Sequence, residues 1–369
     1  MRAVRIVMSL ALAACGPPKL IFPSKTPPAQ LTRLAPANAT TIRLDTSAFR
    51  SKQVDLNFGG LVAQRIFFDQ RLDGYTWFGT IGDRGSAIFV VRKNGSITGA
   101  INTGKLHFEI GPLGTQHVLT QPDARLPDHA FVTPVSSQPD IVVNTEPVSL
   151  WLGKTKIGVS FAYTRAVASK VDDIEGLIQL SVDEANLANL VSKVPIWYQV
   201  AGSYVDEYVE DTDFQTVLNH FANAGDGQLE EIHTLRRKKG GDLAILLLDS
   251  SGFEKKAAGQ SKEINASSET AFAVVDYQAA ATLSTVAHEI GHLLGSQHDF
   301  QMSPDLKPYP DGHGYRADDW GTIVATRCSV PAICPRLLRW SNKKLGWGDE
   351  HANNQNVFTK RRGAVSKFR

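Results

Sequence analysis

One string constrains this chain more than any other: His288-Glu289-Ile290-Gly291-His292-Leu293-Leu294-Gly295-Ser296-Gln297-His298-Asp299. Leu283, Val286, Ala287, Ile290, Leu293 and Leu294 recur at helical spacing, which predicts a helix from about 279 to 294 with this stripe against a core. His288 and His292 stand four apart, so their rings lie one above the other on a different face. Two imidazoles so placed can converge on one Zn²⁺. Glu289, between them, points to the side, where a carboxylate can reach an attacking water without ligating the ion. A catalytic zinc also needs a third protein ligand and one open position. Gly295 lets the backbone turn sharply out of the helix, and His298 then arrives placed to swing back. The rival third ligands, Asp311, Asp318, Asp319 and His313, lie farther along the chain, whereas His298 closes the site locally.

The rest of the chain divides around this string. Residues 16–40 are rich in Pro and Ala, show no periodicity and read as a tether. From 41 to 132, short apolar runs such as Ile66-Phe67-Phe68, Tyr75-Thr76-Trp77-Phe78-Gly79, Ala87-Ile88-Phe89-Val90-Val91 and Leu106-His107-Phe108-Glu109-Ile110 follow one another. Asp73-Gly74, Asn94-Gly95 and Gly111-Pro112 separate them as turn signals, which predicts a small antiparallel β domain. A linker bearing Pro and Ser over 133–149 leads into an α/β (α+β) domain at 150–369. There, strands are predicted over 156–163, 195–204, 242–248 and 271–277, and helices over 171–190 and 212–221. The nearly unbroken apolar run 242–248 predicts a buried central strand in a twisted, mainly parallel sheet that carries the active-site helix.

Written as a pattern, the string is HExxHxxGxxHD, which resembles the signature of the metzincin metalloproteases. Asp299 directly after the third His resembles the reprolysin (adamalysin) branch. The likeness runs from about 156 to 369, includes Asp226-Gly227-Gln228-Leu229, Arg339-Trp340-Ser341-Asn342 and Asn353-Asn354, and is similar to bacterial reprolysin-like exported proteases. The region holding Trp77-Phe78-Gly79 and Asn94-Gly95 resembles the propeptide-like domains that precede them. The resemblance implies a metzincin-like endopeptidase that acts on protein or peptide substrates. It implies one catalytic Zn²⁺ on His288, His292 and His298, Glu289 as general base, and Asp299 fixing the loop that presents His298. A structural Ca²⁺ is not assignable to particular residues. Strand 271–277 would be the edge that binds substrate, and Cys328 to Trp340 a wall of the cleft.

Two departures from the pattern stand out. In Thr322-Ile323-Val324-Ala325, Val324 holds the place of the metzincin Met-turn methionine, so a smaller apolar floor is expected beneath the metal. Beyond Cys15, the N-terminal region has no Cys to cap the metal, so latency there would have to come from occlusion of the cleft. Arg327, Arg336 and Arg339 point toward acidic substrate side chains. The competing reading is a surface lipoprotein that keeps a zinc helix for structure alone, and such a site has no use for Glu289.

The remaining signals concern location. A net charge of +2 excludes nucleic acid as a bulk electrostatic partner, and the basic run Arg236 to Lys239 reads as a solvated surface turn. Arg2 and Arg5 precede the short apolar run Ile6 to Ala14, which reads as a secretory signal peptide. Its end, Leu12-Ala13-Ala14-Cys15, resembles the lipobox of bacterial lipoproteins. That implies lipidation of Cys15, a membrane partner through the lipid anchor, and an exported protein of the outer membrane, cell surface or periplasm. Cys328 and Cys334 are then left as a pair that can close a disulfide in an oxidising compartment.

Overall fold

The computed structural model describes residues 16–24, 39–122, 154–210, 213–254, 257–326 and 335–369. The signal peptide with Cys15, the 133–149 linker, Arg327, Cys328 and Cys334 lie outside the described residues.

The N-terminal part is one antiparallel sheet of nine strands: β1 (Ile21–Pro23), β2 (Thr40–Leu44), β3 (Gln53–Asp55), β4 (Val62–Arg71), β5 (Gly74–Ile81), β6 (Gly85–Arg92), β7 (Ile97–Asn102), β8 (His107–Leu113) and β9 (Gln116–Thr120). Their order is β1-β2-β9-β8-β7-β6-β5-β4-β3. The two ends of that order meet, because Leu20 N donates to Asp55 O at 2.8 Å and Asp55 N to Pro18 O at 3.0 Å. A single bridge between Lys19, just ahead of β1, and Asp55 of β3 thus links the two ends of the sheet. Alternation sets the inside: Trp77, Ala87, Phe89, Ile97 and Ile101 form its core with Leu20 and Phe49.

Two expectations fail here. Residues 19–23, expected as tether, are part of the sheet, with Leu20 fully buried; a three-residue strand is too short to show a period. Gly111-Pro112, expected as a turn, lies inside β8. Pairing of β8 with β7 ends at Ile110, so the N–H that Pro112 lacks is not required on that side.

The C-terminal part is layered. Its elements are β10 (Thr155–Thr164), α1 (Arg165–Ala168), α2 (Ile174–Ser192), β11 (Ile196–Asp206), α3 (Phe214–Ala222), α4 (Glu231–Lys239), β12 (Leu243–Leu248), β13 (Gly259–Ser261), β14 (Phe272–Asp276), α5 (Thr285–Leu293) and α6 (Asn354–Val365). The sheet order is β11-β10-β12-β14-β13, a mixed sheet with three parallel pairings and an antiparallel β13 at one edge. Successive residues of β12 point to opposite cores. Leu243, Ile245 and Leu247 meet α2 and α5, while Ala244, Leu246 and Leu248 meet α3 and α4. The basic run 236–239 is the last turn of α4 rather than a loop. Arg236 in it is buried and donates to the carbonyls of Gly241, Asp242, Ser268 and Phe368. Helix α6 has no counterpart in the sequence-based expectations.

Helix α2 joins the two halves. Phe78, Ile88, Val90 and Ala100, on the outer face of the N-terminal sheet, share one core with Ile178, Val182 and Ala185 of α2. That explains why β6 is buried along nearly its whole length. Asp173, the N-cap of α2, accepts from Gly176 N and is paired with Arg92 and Thr98 across the interface. Asp183 is fully buried and receives Arg71 Nη1 at 3.2 Å and Thr76 Oγ1 at 2.7 Å. Glu184 is buried beside the Glu109 carboxylate of β8, and Glu109 in turn accepts from Thr282, just ahead of α5.

Burial first and Glu109 second push Glu184 well above its ordinary value of 4.5. For a carboxyl raised in this way, the stabilising neutral form is fully present below that ordinary value, and its contribution is lost as pH rises. Glu184→Gln is therefore expected to raise stability at neutral and alkaline pH by about 1–2 kcal/mol, with the gain shrinking toward pH ~4. Thermal melts of both proteins across pH measure this, and a gap that does not change with pH would contradict it.

Candidate active site

Helix α5 starts later than its sequence suggests. Ser284, at φ 52°, interrupts the chain in the left-handed region, so 279–284 form turns and only Thr285–Leu293 is helical. Val286, Ala287, Ile290 and Leu293 face the core as expected. The helix ends at Gly295, where φ is 102°. Gly295 N donates to His292 O at 2.8 Å and Ser296 N to Gly291 O at 2.9 Å. A side chain at 295 would collide with Tyr309, whose Cε2 lies 2.8 Å from the Cβ position, so the reversal needs glycine twice over.

This reversal brings His298 to the other two imidazoles. Ring centroids are 4.6 Å apart for His288 and His292, 4.9 Å for His292 and His298, and 5.4 Å for His288 and His298. One nitrogen from each ring falls within 4.8 Å of the others, and among the described residues this is the group with metal-ligand geometry. The rival third ligands are elsewhere. Asp319 pairs with Arg84 at 2.6 Å, Asp311 accepts from Asn356, and His313 faces the carbonyls of His298 and Asp305 at 2.9 and 3.0 Å.

The donor set fits a metal cation. His288 Nδ1 lies 2.8 Å from Ile323 O, and His292 Nδ1 2.8 Å from Ser296 O. Carbonyls only accept, so each Nδ1 carries the proton and each Nε2 presents a lone pair. Burial, reinforced by His298, pushes His292 down to about 3. Burial and then the Arg336 charge push His298 down to about 4. His292 and His298 are thus neutral, as ligands must be.

Glu289 is fully buried, which drives its carboxyl up to about 8 against the opposing pull of Ser261 and Arg336. Ser261 Oγ donates to Glu289 Oε2 at 2.6 Å and lies 3.1 Å from Glu289 O. Both Ser261 and Gly259 belong to β13, and a Cβ at Gly259 would come within 3.0 Å of Glu289 Oε1. Strand β13 is therefore the sheet edge beside the site. The 271–277 strand expected there is interior, covered by β13, because a three-residue Gly-Gln-Ser strand carries no periodic signal. Ser261 went unnoticed in the sequence for the same reason.

The surroundings hold this arrangement in place. Asp299 Oδ2 accepts from Thr326 N at 2.8 Å and from the Thr326 hydroxyl, tying the His298 loop to the turn at 322–325. In that turn Val324 is fully buried, and its Cγ1 would lie 2.8 Å from a Cβ at Gly291. The floor beneath the triad is thus packed directly on the helix, with Trp340 beside it. Arg336 Nε donates to Ala325 O at 2.9 Å, next to Val324. Arg339 instead lies over Trp320 and Trp347 and donates to Asp83 O, away from the triad.

Ser261 is a positioning residue, since it acts through Glu289. Loss of one such hydrogen bond, about 1.4 kcal/mol, predicts a roughly tenfold fall in kcat for Ser261→Ala. KM and zinc content should hold, and Ser261→Thr should recover part of the loss. Steady-state kinetics with metal analysis decides it: a fall in zinc content that matches the fall in rate would sink this assignment.

A reprolysin-type family model, described as metallo-peptidase family M12, matches residues 154–341, just over half of the chain. The peptidyl-Asp metalloendopeptidase of Stenotrophomonas maltophilia (strain R551-3) is 31% identical over 98% of this chain and 92% of its own length. The protein of the same name from Xanthomonas campestris pv. campestris is 29% identical over 99% of this chain and 97% of its own. Among solved structures, metalloproteinase-II from Bacteroides fragilis covers 77% of this chain and 86% of its own, with a TM-score of 0.43 and 11% identity. With its triad inside the matched residues and a relative alike over nearly its whole length, the chain belongs to metallo-peptidase family M12, as a reprolysin-like zinc-dependent metalloendopeptidase.

Proposed function

We propose that this endopeptidase cuts protein chains beside aspartate, with His288, His292 and His298 holding one zinc and Glu289 serving as general base. The observation that carries the residue roles is the convergence of three ring nitrogens within 4.8 Å next to a carboxylate braced by Ser261. Zinc bound there supplies Lewis acidity, which acidifies water and polarises a carbonyl. A cation on the three imidazoles would draw the Glu289 carboxyl back down from where burial holds it, and Glu289 would then take a proton from the attacking water and return it to the departing amine. Ser261 keeps that carboxylate in one orientation during both transfers. Aspartate as the preferred neighbour of the cut bond is supported by the names of the relatives and by the Arg336 charge acting at the site.

Glu289→Gln is expected to retain one zinc and lose peptide hydrolysis by at least about 100-fold, while His298→Ala loses most of the metal. Casein digestion alongside zinc analysis of each variant tests both roles. Full activity in Glu289→Gln would remove Glu289 from the mechanism.

The reading extends to the location of the chain and to its N-terminal domain. The lipobox-like Leu12-Ala13-Ala14-Cys15 supports an exported lipoprotein anchored at Cys15. The N-terminal sheet contacts the catalytic part near the site, since Asn102 Nδ2 donates to Arg336 O at 3.3 Å and Glu109 accepts from Thr282 in the turn ahead of α5. Those contacts support a propeptide-like role in which cutting within 133–149 frees the catalytic domain. Replacing Cys15 with Ser should shift the protein out of the membrane fraction, as read by fractionation and blotting. Unchanged membrane association would count against the anchor.

A further inference from the structure

We infer that the seam between the two halves of the chain holds a second binding site, which takes a small carboxylate with an apolar body and seats its anionic end on Arg339. The site is a cavity of about 350 Å³, within the range of small-molecule pockets. Neither Glu289 nor any of the three histidines lines it.

Its walls come from both halves. The turn after β5 and the start of β6 supply Asp83, Arg84 and Ser86, and the C-terminal part of α2 supplies Leu187 and Val191. Leu338, Arg339 and Trp347 complete the wall. Leu187 and Leu338 belong to the core that the two halves share. An apolar surface and two guanidinium groups thus border one space.

The two cations differ in how they are satisfied. Arg84 Nη1 pairs with Asp319 Oδ2 at 2.6 Å. Arg339 makes no ion pair among the described residues and spends one donor, Nη2, on the Asp83 carbonyl at 2.6 Å. Its Nε is closed off from solvent and meets no acceptor. The same is true of the indole Nε1 of Trp347, whose ring centroid lies 4.5 Å from the Arg339 guanidinium. Buried donors without acceptors are few in folded proteins, and a bound anion is one of the things that satisfies them.

Electrostatics points the same way. Burial, and then the charge of Arg84, pull the Arg339 guanidinium below its ordinary value, against the opposing charge of Asp83. A carboxylate would relieve that repulsion and accept from the remaining donors of the fork, whose plane is held by stacking on Trp347 and Trp320. Leu187, Val191 and Leu338 call for a ligand whose other end is apolar, which sets it apart from inorganic anions. Because both halves form the walls, such a ligand also holds the N-terminal sheet on the catalytic part, and it should raise the melting temperature.

The test titrates the full zinc-loaded chain calorimetrically with 4-phenylbutyrate, with the uncharged 4-phenylbutanamide and with inorganic phosphate. The acid is expected to bind with a Kd of about 1 mM or tighter, and the amide and phosphate at least about tenfold more weakly. Arg339→Gln should weaken the acid at least about tenfold while peptide hydrolysis changes less than about twofold. The inference is overturned if the acid does not bind, if the amide or phosphate binds as tightly, or if Arg339→Gln binds the acid unchanged, as it would were the acid seated on zinc. If Arg339→Gln melts well below the wild type, Val191→Phe takes its place, since it fills the cavity and leaves both cations. That variant should lose the binding, and full retention would equally overturn the inference.

Discussion

The bonds from His288 Nδ1 to Ile323 O and from His292 Nδ1 to Ser296 O are what the rest of the site depends on. Imidazoles removed from water must be neutral, must keep one tautomer and must find an acceptor for the proton they retain. Both acceptors are backbone carbonyls, so the tautomers are set by where the main chain runs. Ser296 O is in place because Gly295 can adopt φ 102°, and Ile323 O because the 322–325 turn is tied through Thr326 to Asp299. The ligand helix, the reversal after it and the floor beneath it therefore form one unit.

The carboxylate is stabilised differently. Glu289 is buried as deeply as the histidines, and its neighbour comes from the antiparallel edge strand rather than from the ligand helix. Ser261 links the orientation of the Glu289 carboxyl to β13, the strand at the sheet edge. Arg336 adds a charge from the opposite direction along the chain. Segments far apart in the chain thus act on one carboxyl.

The N-terminal domain contributes through α2. That helix is buried against both sheets, and the acids it carries, Asp173, Asp183 and Glu184, face the N-terminal strands. Such burial is costly unless each group finds a partner. Arg71, Thr76, Arg92 and Thr98 supply partners for the two aspartates, while Glu184 meets another carboxylate. The interface is thus held by specific polar pairs around an apolar centre, and it reaches the Arg336 backbone through Asn102 and the turn ahead of α5 through Glu109.

By itself the sequence indicated which three imidazoles come together. A helix repeat, a four-residue histidine spacing and a glycine before His298 are local facts, and local geometry follows from them. It also made helices α2 and α3 and most of the longer strands legible, because their periods span enough residues to be read, whereas α6 over Asn354–Val365 was not anticipated. What it left open lay in short or nonlocal features. Strands β1 and β13 are three residues each and carry no period, so the bridge between the ends of the N-terminal sheet and the true sheet edge were decided only by pairing with distant strands. The same holds for Ser261, lying 28 residues from Glu289, and for the separation of Arg336 from Arg339, neighbours in sequence that face different surroundings. Spacing sets what a helix can present, but which side chains surround it depends on contacts between residues far apart in the chain.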